Sequence, residues 1–597
     1  GIQEKSSMST INLSMSKVKA LPVLLGEVDV VKTLQLLPGV QSGSEGGSGM
    51  YVRGGGPDQN LILLDGVPIY NASHLFGFFS VFNADAINSV KLIKGGFPAQ
   101  YGGRLSSVID IRMKEGNMKE FHGEGSIGIL SSKLMLEGPL IKDKTSFAIS
   151  GRRTYIDVLA YPFIKAAGDG EVVGYFFQDL NAKINHKFSN KSKLYLSSYF
   201  GKDKFYSKYE DESVYENKKN LYKDKARLEW GNRIAALRWN YQLSPKLFSN
   251  ITATYSRYKF LIASESESES LDLVTGEKNF DEYSLEYKSG IRDFSIKSDF
   301  DYAVHPDHYV KFGGNYTYHT FTPGINQETE SSNNNSSSTE TGSDIVNGDE
   351  FYLYVQDDFK LNNRIKLNGG VHFSGFKVNG KLYTSLQPRF SGRLLLSEKA
   401  SLKASYSSMA QYLHLLSNAG IGLPTDLWLP PTENIAPQYS EQFALGYART
   451  IKNKFEFSVE GYYKTMKNLL EYKDGASFIL SDANWENLVE VGKGWSYGAE
   501  ILLEKKKGKT TGWIGYTLSW TERQFDNLNF GEVFPYKYDR RHDISVAVTH
   551  KFSEKVDVGV VWVYGTGNAV SLAKEKYQTL GNQSGSYYGY GSIVSII

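Results

Sequence analysis

What most constrains this chain is a series of long segments in which apolar and polar residues alternate one for one. In Ile365 to Ser374, Ile365, Leu367, Val371 and Phe373 fall on one face, and Lys366, Asn368, His372 and Ser374 on the other. Phe455, Phe457, Val459 and Tyr463 alternate with Glu456, Ser458 and Glu460, and Ile544, Val546 and Val548 with Asp543, Ser545 and Thr549. A period of two is the signature of a strand with two different environments. Strands of a soluble sandwich usually run to about 5 or 6 residues, and several here are far longer. Such strands suit a closed wall with lipid on one side and a lumen on the other.

The connections point the same way. Short polar turns fall at Ile141–Lys144, Ser189–Ser192, Ser244–Lys246, His305–Asp307, Asn362–Arg364, Ser397–Ala400, Lys452–Lys454, Lys505–Lys509 and Ser553–Lys555. Between them lie long polar excursions, among them Ser264–Ser270 and Asn326–Asn347. Their composition buries too little apolar surface to order them, so they are expected to be mobile extracellular loops. From Phe121 the pattern yields about 19 strands, the last near Val556–Tyr564. A barrel with both ends in the periplasm needs an even number. An odd count leading into the polar stretch Ala573–Tyr590 therefore predicts that the final strands lie beyond Ile597 or have been removed.

Composition excludes the main alternatives. A helical membrane protein needs spans of about 20 apolar residues, and this sequence has none, with a negative mean hydropathy. Lys+Arg number 67 against 65 for Asp+Glu, so no charge excess points to nucleic acid. Cysteine is absent. Gly1–Ser7 carry no basic segment followed by an apolar one, so the sequence is expected to be mature or cropped. The composition shifts near Asn117, giving two expected domains, 1–117 and 118–597. A barrel this large has a lumen its own side chains cannot fill, and the first domain is the candidate filling.

Four elements in order carry a resemblance: Val30-Val-Lys-Thr-Leu-Gln-Leu-Leu-Pro-Gly-Val40, Met50-Tyr-Val-Arg-Gly-Gly-Gly through Leu-Asp-Gly-Val-Pro-Ile-Tyr70, Ser89-Val-Lys-Leu-Ile-Lys-Gly-Gly96 and Tyr101-Gly-Gly-Arg-Leu-Ser-Ser-Val-Ile-Asp-Ile111. Together they resemble the plug domain of TonB-dependent receptors. The resemblance implies an all-β transmembrane barrel, 22 strands expected and about 19 visible, with an N-terminal α+β plug in its lumen. It implies a non-enzymatic outer-membrane transporter of a Gram-negative cell, without a cofactor, that imports a bulky scarce nutrient, a ferric siderophore or similar chelate. The implied partners are outer-membrane lipid, the inner-membrane TonB–ExbB–ExbD system and the nutrient ligand. A glycan importer with a surface lipoprotein, and a plug-and-barrel structural subunit or surface receptor of a larger outer-membrane complex, are the alternatives. A passive porin is disfavoured because porins lack such a plug.

Gly54, Gly55 and Gly56 permit positive-φ turns beside a strand, and Asp65-Gly66 reads as a hairpin turn between Leu61–Leu64 and Val67–Ile69. The resemblance implies that basic plug residues lock onto acidic wall residues. Arg53 and Lys94 match the basic positions and Glu500 one acidic position; alternation turns Glu500 to the lumen, with Tyr497, Ala499, Ile501 and Leu503 outward. The second acidic position falls on Ala444. Glu441 shares the face of Phe443, Leu445 and Tyr447 and cannot replace it, which leaves a lost pair or a detour through Gln442. Gln59, Tyr70 and His74 on the plug, with Tyr412 and Trp428 on the barrel, are the candidate substrate residues. His74, His372 and His414 show no metal-ligand spacing, and no nucleophile–base arrangement is legible. Lys505, Lys506 and Lys507 read as a periplasmic turn.

Overall fold

The computed structural model describes residues 2–3, 8–22, 27–43, 47–167, 171–333, 335–342, 344–416, 427–473, 485–578 and 588–595. The expectations for Gly1–Ser7 and for Ala573–Tyr590 lie partly outside the described residues, and that for strands beyond Ile597 wholly so.

Among the described residues nineteen antiparallel strands form the wall: β1 (His122–Ile127), β2 (Ser131–Ile141), β3 (Thr145–Thr154), β4 (Glu171–Ser189), β5 (Ser192–Tyr215), β6 (Lys218–Gln242), β7 (Leu247–Asp272), β8 (Lys278–His305), β9 (His308–Ser332), β10 (Val346–Lys360), β11 (Ile365–Val378), β12 (Lys381–Ser397), β13 (Ala400–Gln411), β14 (Gln438–Ile451), β15 (Phe455–Tyr472), β16 (Val489–Lys505), β17 (Thr510–Phe525), β18 (His542–Lys551) and β19 (Asp557–Gly565). Each pairs with its sequence neighbour. Two short accessories, Asn335–Gly342 on β9 and Phe534–Pro535 on β17, bring the sheet to 21 strands. All nine turns read from the sequence fall between successive wall strands.

The wall's polarity is the inverse of a soluble protein's. In β14, Phe443 and Leu445 are 56% and 63% exposed, while Gln442 and Ala444 are buried. In β11, His372 and Ser374 are buried and Val371 and Phe373 point out. Polar side chains thus meet the plug, and apolar ones form the face that lipid covers. No helix among the described residues is long and apolar enough to cross a membrane.

One expectation needs correction. Ser264–Ser270 belongs to β7, Asn326–Ser332 is the distal end of β9, and Asn335–Gly342 is its hairpin arm. Strands β5 to β9 run 24 to 28 residues, whereas about 9 to 11 cross a bilayer, so their outer halves project beyond it. Composition misleads here because order comes from the ladder. Both strands are paired on both sides, and cross-strand cations neutralise the acidic run, with Lys225 Nζ 2.6 Å from Glu267 and Lys278 Nζ 2.9 Å from Glu269.

Inside the wall, Thr10–Ser14, Ile87–Ile93, Ser107–Met113, Asn60–Leu64 and Val67–Pro68 form a five-stranded sheet in that spatial order, in which only the Asn60–Leu64 and Ser107–Met113 pair is parallel. Helices α1 (Met15–Lys19) and α2 (Val30–Gln35) pack on it. The Asp29 side chain caps α2 by accepting from the Val31 and Lys32 amides at 2.9 and 3.1 Å, satisfying donors that a helix start leaves unpaired. Val31, Leu34, Val90, Leu92, Ile109 and Ile111 make the core, which continues onto Ile234 and Trp513 of the wall. Of the three adjacent glycines only Gly54 has positive φ, 75°. Gly55 is constrained by space instead, since a Cβ there would lie 1.5 Å from Ser106 Oγ.

Candidate functional site

Buried charges join plug to wall in several places: Lys183 pairs with Asp65 at 2.9 Å, and two larger groups surround residues singled out in the sequence. In the first, Arg53 Nε donates to Glu500 Oε1 at 2.7 Å, and Nη2 donates to Glu500 Oε2 at 2.9 Å and Glu460 Oε2 at 2.8 Å. Lys94 Nζ donates to Glu500 Oε2 at 2.6 Å and also bonds the Pro38 carbonyl. The guanidinium lies 4.7 Å from the centre of the Tyr462 ring. Glu460 on β15 and Glu500 on β16 are direct cross-strand partners. Two carboxylates placed so would repel each other; the two plug cations make the group neutral.

Glu460 is the residue that sequence reasoning missed, although its parity on β15 places it inward with Tyr462. Ala444 carries no substitute acid and packs instead against Met8 and Tyr462. Gln442 takes part without a charge, its Nε2 donating to the Lys94 carbonyl at 3.1 Å.

The second group surrounds His74. Its Nε2 lies 2.8 Å from Asp179 Oδ1 and its Nδ1 bonds Asp203, so the ring sits between two carboxylates and stacks on Phe177 at 4.3 Å. Arg152 pairs with Asp179 at 2.5 Å, Tyr199 donates to Asp179 at 2.7 Å and Tyr175 bonds Asp203. Burial works against a charged ring, but Asp179 and Asp203 outweigh it and hold the His74 pKa up to about 9. The neighbouring plug residues follow the same wall. Tyr70 bonds Asp293, Asn232 Nδ2 donates to the Asn71 carbonyl at 2.6 Å, and the Leu75 amide donates to Asp203 at 2.9 Å.

Between plug and wall, on the side away from the short turns, lies a cavity of about 640 Å³. Gln59, Tyr70 and Trp428 line it, with Arg104, Arg523 and Tyr536. Tyr70 meets Trp428 edge-on at 5.0 Å, Arg104 lies over Trp428 at 5.4 Å, and Arg523 over Tyr536 at 3.6 Å. His74 and Tyr412 are not in the lining. His74 is engaged by its carboxylates, and Tyr412 is fully buried behind the surface, its hydroxyl 2.9 Å from Ser374 Oγ. The two arginines were not singled out from sequence; Arg104 stands in a recognised motif, whereas nothing around Arg523 marks it. A second cavity, about 340 Å³, shares Leu61, Pro68, Tyr70 and Arg104 with the first and continues along β7 to β10 toward Asp301 and Lys311 near the short turns. Among the described residues no three His, Cys, Asp or Glu gather in a metal-binding arrangement.

A strand wall, a folded domain filling it and paired charges between them define a plugged outer-membrane barrel. The family model for the TonB-dependent receptor-like β-barrel matches residues 174–592, and that for the TonB-dependent receptor plug domain matches 10–108. The chain belongs to the TonB-dependent receptor family, whose members are receptors and transporters, not enzymes. It is 27% identical over 208 residues to a vitamin B12 transporter of Vibrio vulnificus, covering 33% of this chain and 32% of that one. It is also 27% identical over 180 residues to a probable TonB-dependent siderophore receptor of Acinetobacter baumannii, covering 25% and 23%. The match thus spans a third or less of these curated relatives. In fold it is similar to the siderophore receptor PiuA of Acinetobacter baumannii (TM-score 0.64, 13% identity, 99% of this chain and 90% of that) and to the FrpB iron transporter of Neisseria meningitidis (0.62, 15%, 93% and 86%).

Proposed function

We propose that the chain imports a bulky scarce nutrient across the outer membrane, that the cargo is a ferric siderophore or a chelate of similar size, and that the inner-membrane TonB–ExbB–ExbD system drives the step. The observation that carries this reading is the 640 Å³ cavity, within the roughly 300–1,000 Å³ typical of small-molecule sites. Its walls combine aromatic faces (Tyr70, Trp428, Tyr536) with Arg104, Arg523 and Lys537 against Asp58 and Glu471. A net cationic, aromatic surface suits an anionic chelate better than a neutral glycan. Gln59, Tyr70 and Trp428 are the ligand-facing members of this reading, and Arg53, Lys94 and Glu500, joined by Glu460, hold the plug at rest. The plug then comprises residues 1–117 and the barrel 118–597. A barrel in the outer membrane has no ion gradient of its own, which is why an external drive is part of the proposal.

The test is growth of a deletion strain under iron limitation with a panel of ferric chelates, beside growth on glycans as sole carbon source. A defect confined to one chelate class, restored by the chain but not by Arg104→Gln with Arg523→Gln, supports the reading. A defect confined to one glycan overturns the cargo.

A further inference from the structure

The wall's outer surface carries a feature that transport through the lumen does not use. Register places Arg233 of β6 opposite Arg257 of β7, and Arg257 opposite Arg292 of β8, so three arginines stand side by side on adjacent strands. All three have outward parity, alternating with the buried Asn232, Tyr258 and Asp293. One level further out, Lys259 stands between Gly231 and Gly290, which leave it without side-chain neighbours in its row. Like charges directly across a ladder destabilise it. Yet no carboxylate among the described residues forms an ion pair with any of these four cations. Glu229 is taken by Lys202 and Lys204, and Glu286 by Arg227 and Lys288.

Their height identifies the environment. Arg233 lies 9 residues from the short-turn end of β6 at Gln242, Arg257 10 from Leu247 and Arg292 13 from His305. At about 3.3 Å per residue and a tilt near 40°, these are heights of roughly 23 to 33 Å. The apolar band of such barrels is about 25 Å tall, so the row sits at its outer edge. Directly below it, Tyr255 and Phe294 pack at 5.1 Å, and Leu237 and Ile296 are exposed.

The row continues sideways into apolar ground. Phe200 is opposite Arg233, and Leu180 opposite Phe200. With Leu134, Gly151, Gln178 and Arg153 they line an open groove of about 500 Å³ on the outside of β2 to β5. Arg153 ties the groove to helix α3 (Ile156–Ala167), pairing with Asp157 at 2.9 Å. That helix packs on β4 and leaves Val158, Leu159 and Phe163 exposed. Unpaired cations, an aromatic row beneath them and an adjoining apolar groove continuous with the lipid face together match an amphiphile bearing phosphate.

We propose that the outer face of β2 to β8 binds a phosphorylated lipid of the outer leaflet, with Arg233, Arg257, Arg292 and Lys259 holding its phosphates and the Leu134–Leu180–Phe200 groove beside α3 taking acyl chain. Each cation contributes chiefly as a positive charge held at the lipid surface.

The test uses the full chain in non-ionic detergent, titrated by native mass spectrometry with diphosphoryl lipid A, the same lipid with both phosphates removed, and inorganic phosphate. At about a fivefold effect per surface cation, Arg233→Gln/Arg257→Gln/Arg292→Gln weakens diphosphoryl lipid A binding roughly a hundredfold. The matching triple Arg→Lys variant keeps most of the affinity, and inorganic phosphate does not displace the lipid. Equal binding by the Gln and Lys variants overturns the proposal, as does displacement by inorganic phosphate, which marks a free-anion site. Should the Gln variant fail to fold, the unsubstituted chain decides: equal affinity for the phosphorylated and dephosphorylated lipids overturns the proposal, and a preference for the phosphorylated form sustains it.

Discussion

Replacing Arg53 by Gln would leave Glu460 and Glu500 facing each other across the ladder with Lys94 as their one cation. Breaking a buried pair by removing one partner costs about 3–5 kcal/mol. The expected outcome is a plug that releases from the wall at lower urea than in the unsubstituted chain, read by protease access to Met113–Gly116, while the heat-resistant barrel remains. Arg53→Gln combined with Glu460→Gln should recover part of the loss, and an additive double variant would count against direct coupling. His74 gives a pH dependence whose sign follows from its raised pKa. The ring is charged in the fold up to about pH 9 and, unfolded, only up to about 6.5. Its contribution, on the order of 3 kcal/mol, is therefore fully present below pH 6.5, declines between 6.5 and 9, and is gone above. The plug's urea midpoint should fall across that window, and His74→Gln should flatten the profile. Of these groups, alternation alone turned Glu500 inward. His74's partners were illegible because Asp179 and Asp203 lie more than 100 residues away, and nothing local distinguishes an aspartate that will meet a histidine from one that will meet water.

Among the elements, the link from α2 to the next plug strand is the most sensitive to sequence. Gly39 has φ 78°, its amide donates to Thr517 Oγ1 at 2.8 Å, and a Cβ there would come within 2.0 Å of Glu500 Oε1. A single methyl must therefore displace the carboxylate that holds both Arg53 and Lys94, as well as strain the backbone. Gly39→Ala should destabilise the plug by about 2–4 kcal/mol with the wall unaffected; a plug of unchanged urea midpoint would show that Glu500 has room to move. The sequence marked this glycine only as part of a motif, not for the atom that opposes it. Turns were legible because polar residues at strand ends are a local signal. The outer halves of β7 and β9 were not, since serine- and glutamate-rich composition says nothing about the strands on either side that complete its hydrogen bonds.

At the scale of the whole molecule, the plug is held at many points round the wall, His372 and Arg389 on Ala99 and Pro98 among them, and two of the regions that hold it stand about half the sheet apart. Arg53 and Lys94 bind β15 and β16, while Tyr70 to Leu75 run along β4 to β8. The two cavities meet at the second region, where Leu61, Pro68, Tyr70 and Arg104 belong to the walls of both. Joining them into one passage from the outer side toward the short turns therefore requires Tyr70 and its neighbours to leave the wall, whereas the Arg53 group stands away from that partition. The absence of cysteine makes a tether here clean to interpret. Asn71→Cys with Asn232→Cys replaces a direct contact between the plug segment and β6 by a disulfide, provided the Cα atoms approach within the usual range of about 4.4–6.8 Å. On the import reading, the oxidised double variant should bind ligand as tightly as its reduced form and transport none, and reductant should restore uptake. A second tether, Ser9→Cys with Glu460→Cys, pins the plug near Arg53 and should leave a larger share of uptake intact. Full transport through the oxidised Asn71–Asn232 pair would place the passage elsewhere on the wall.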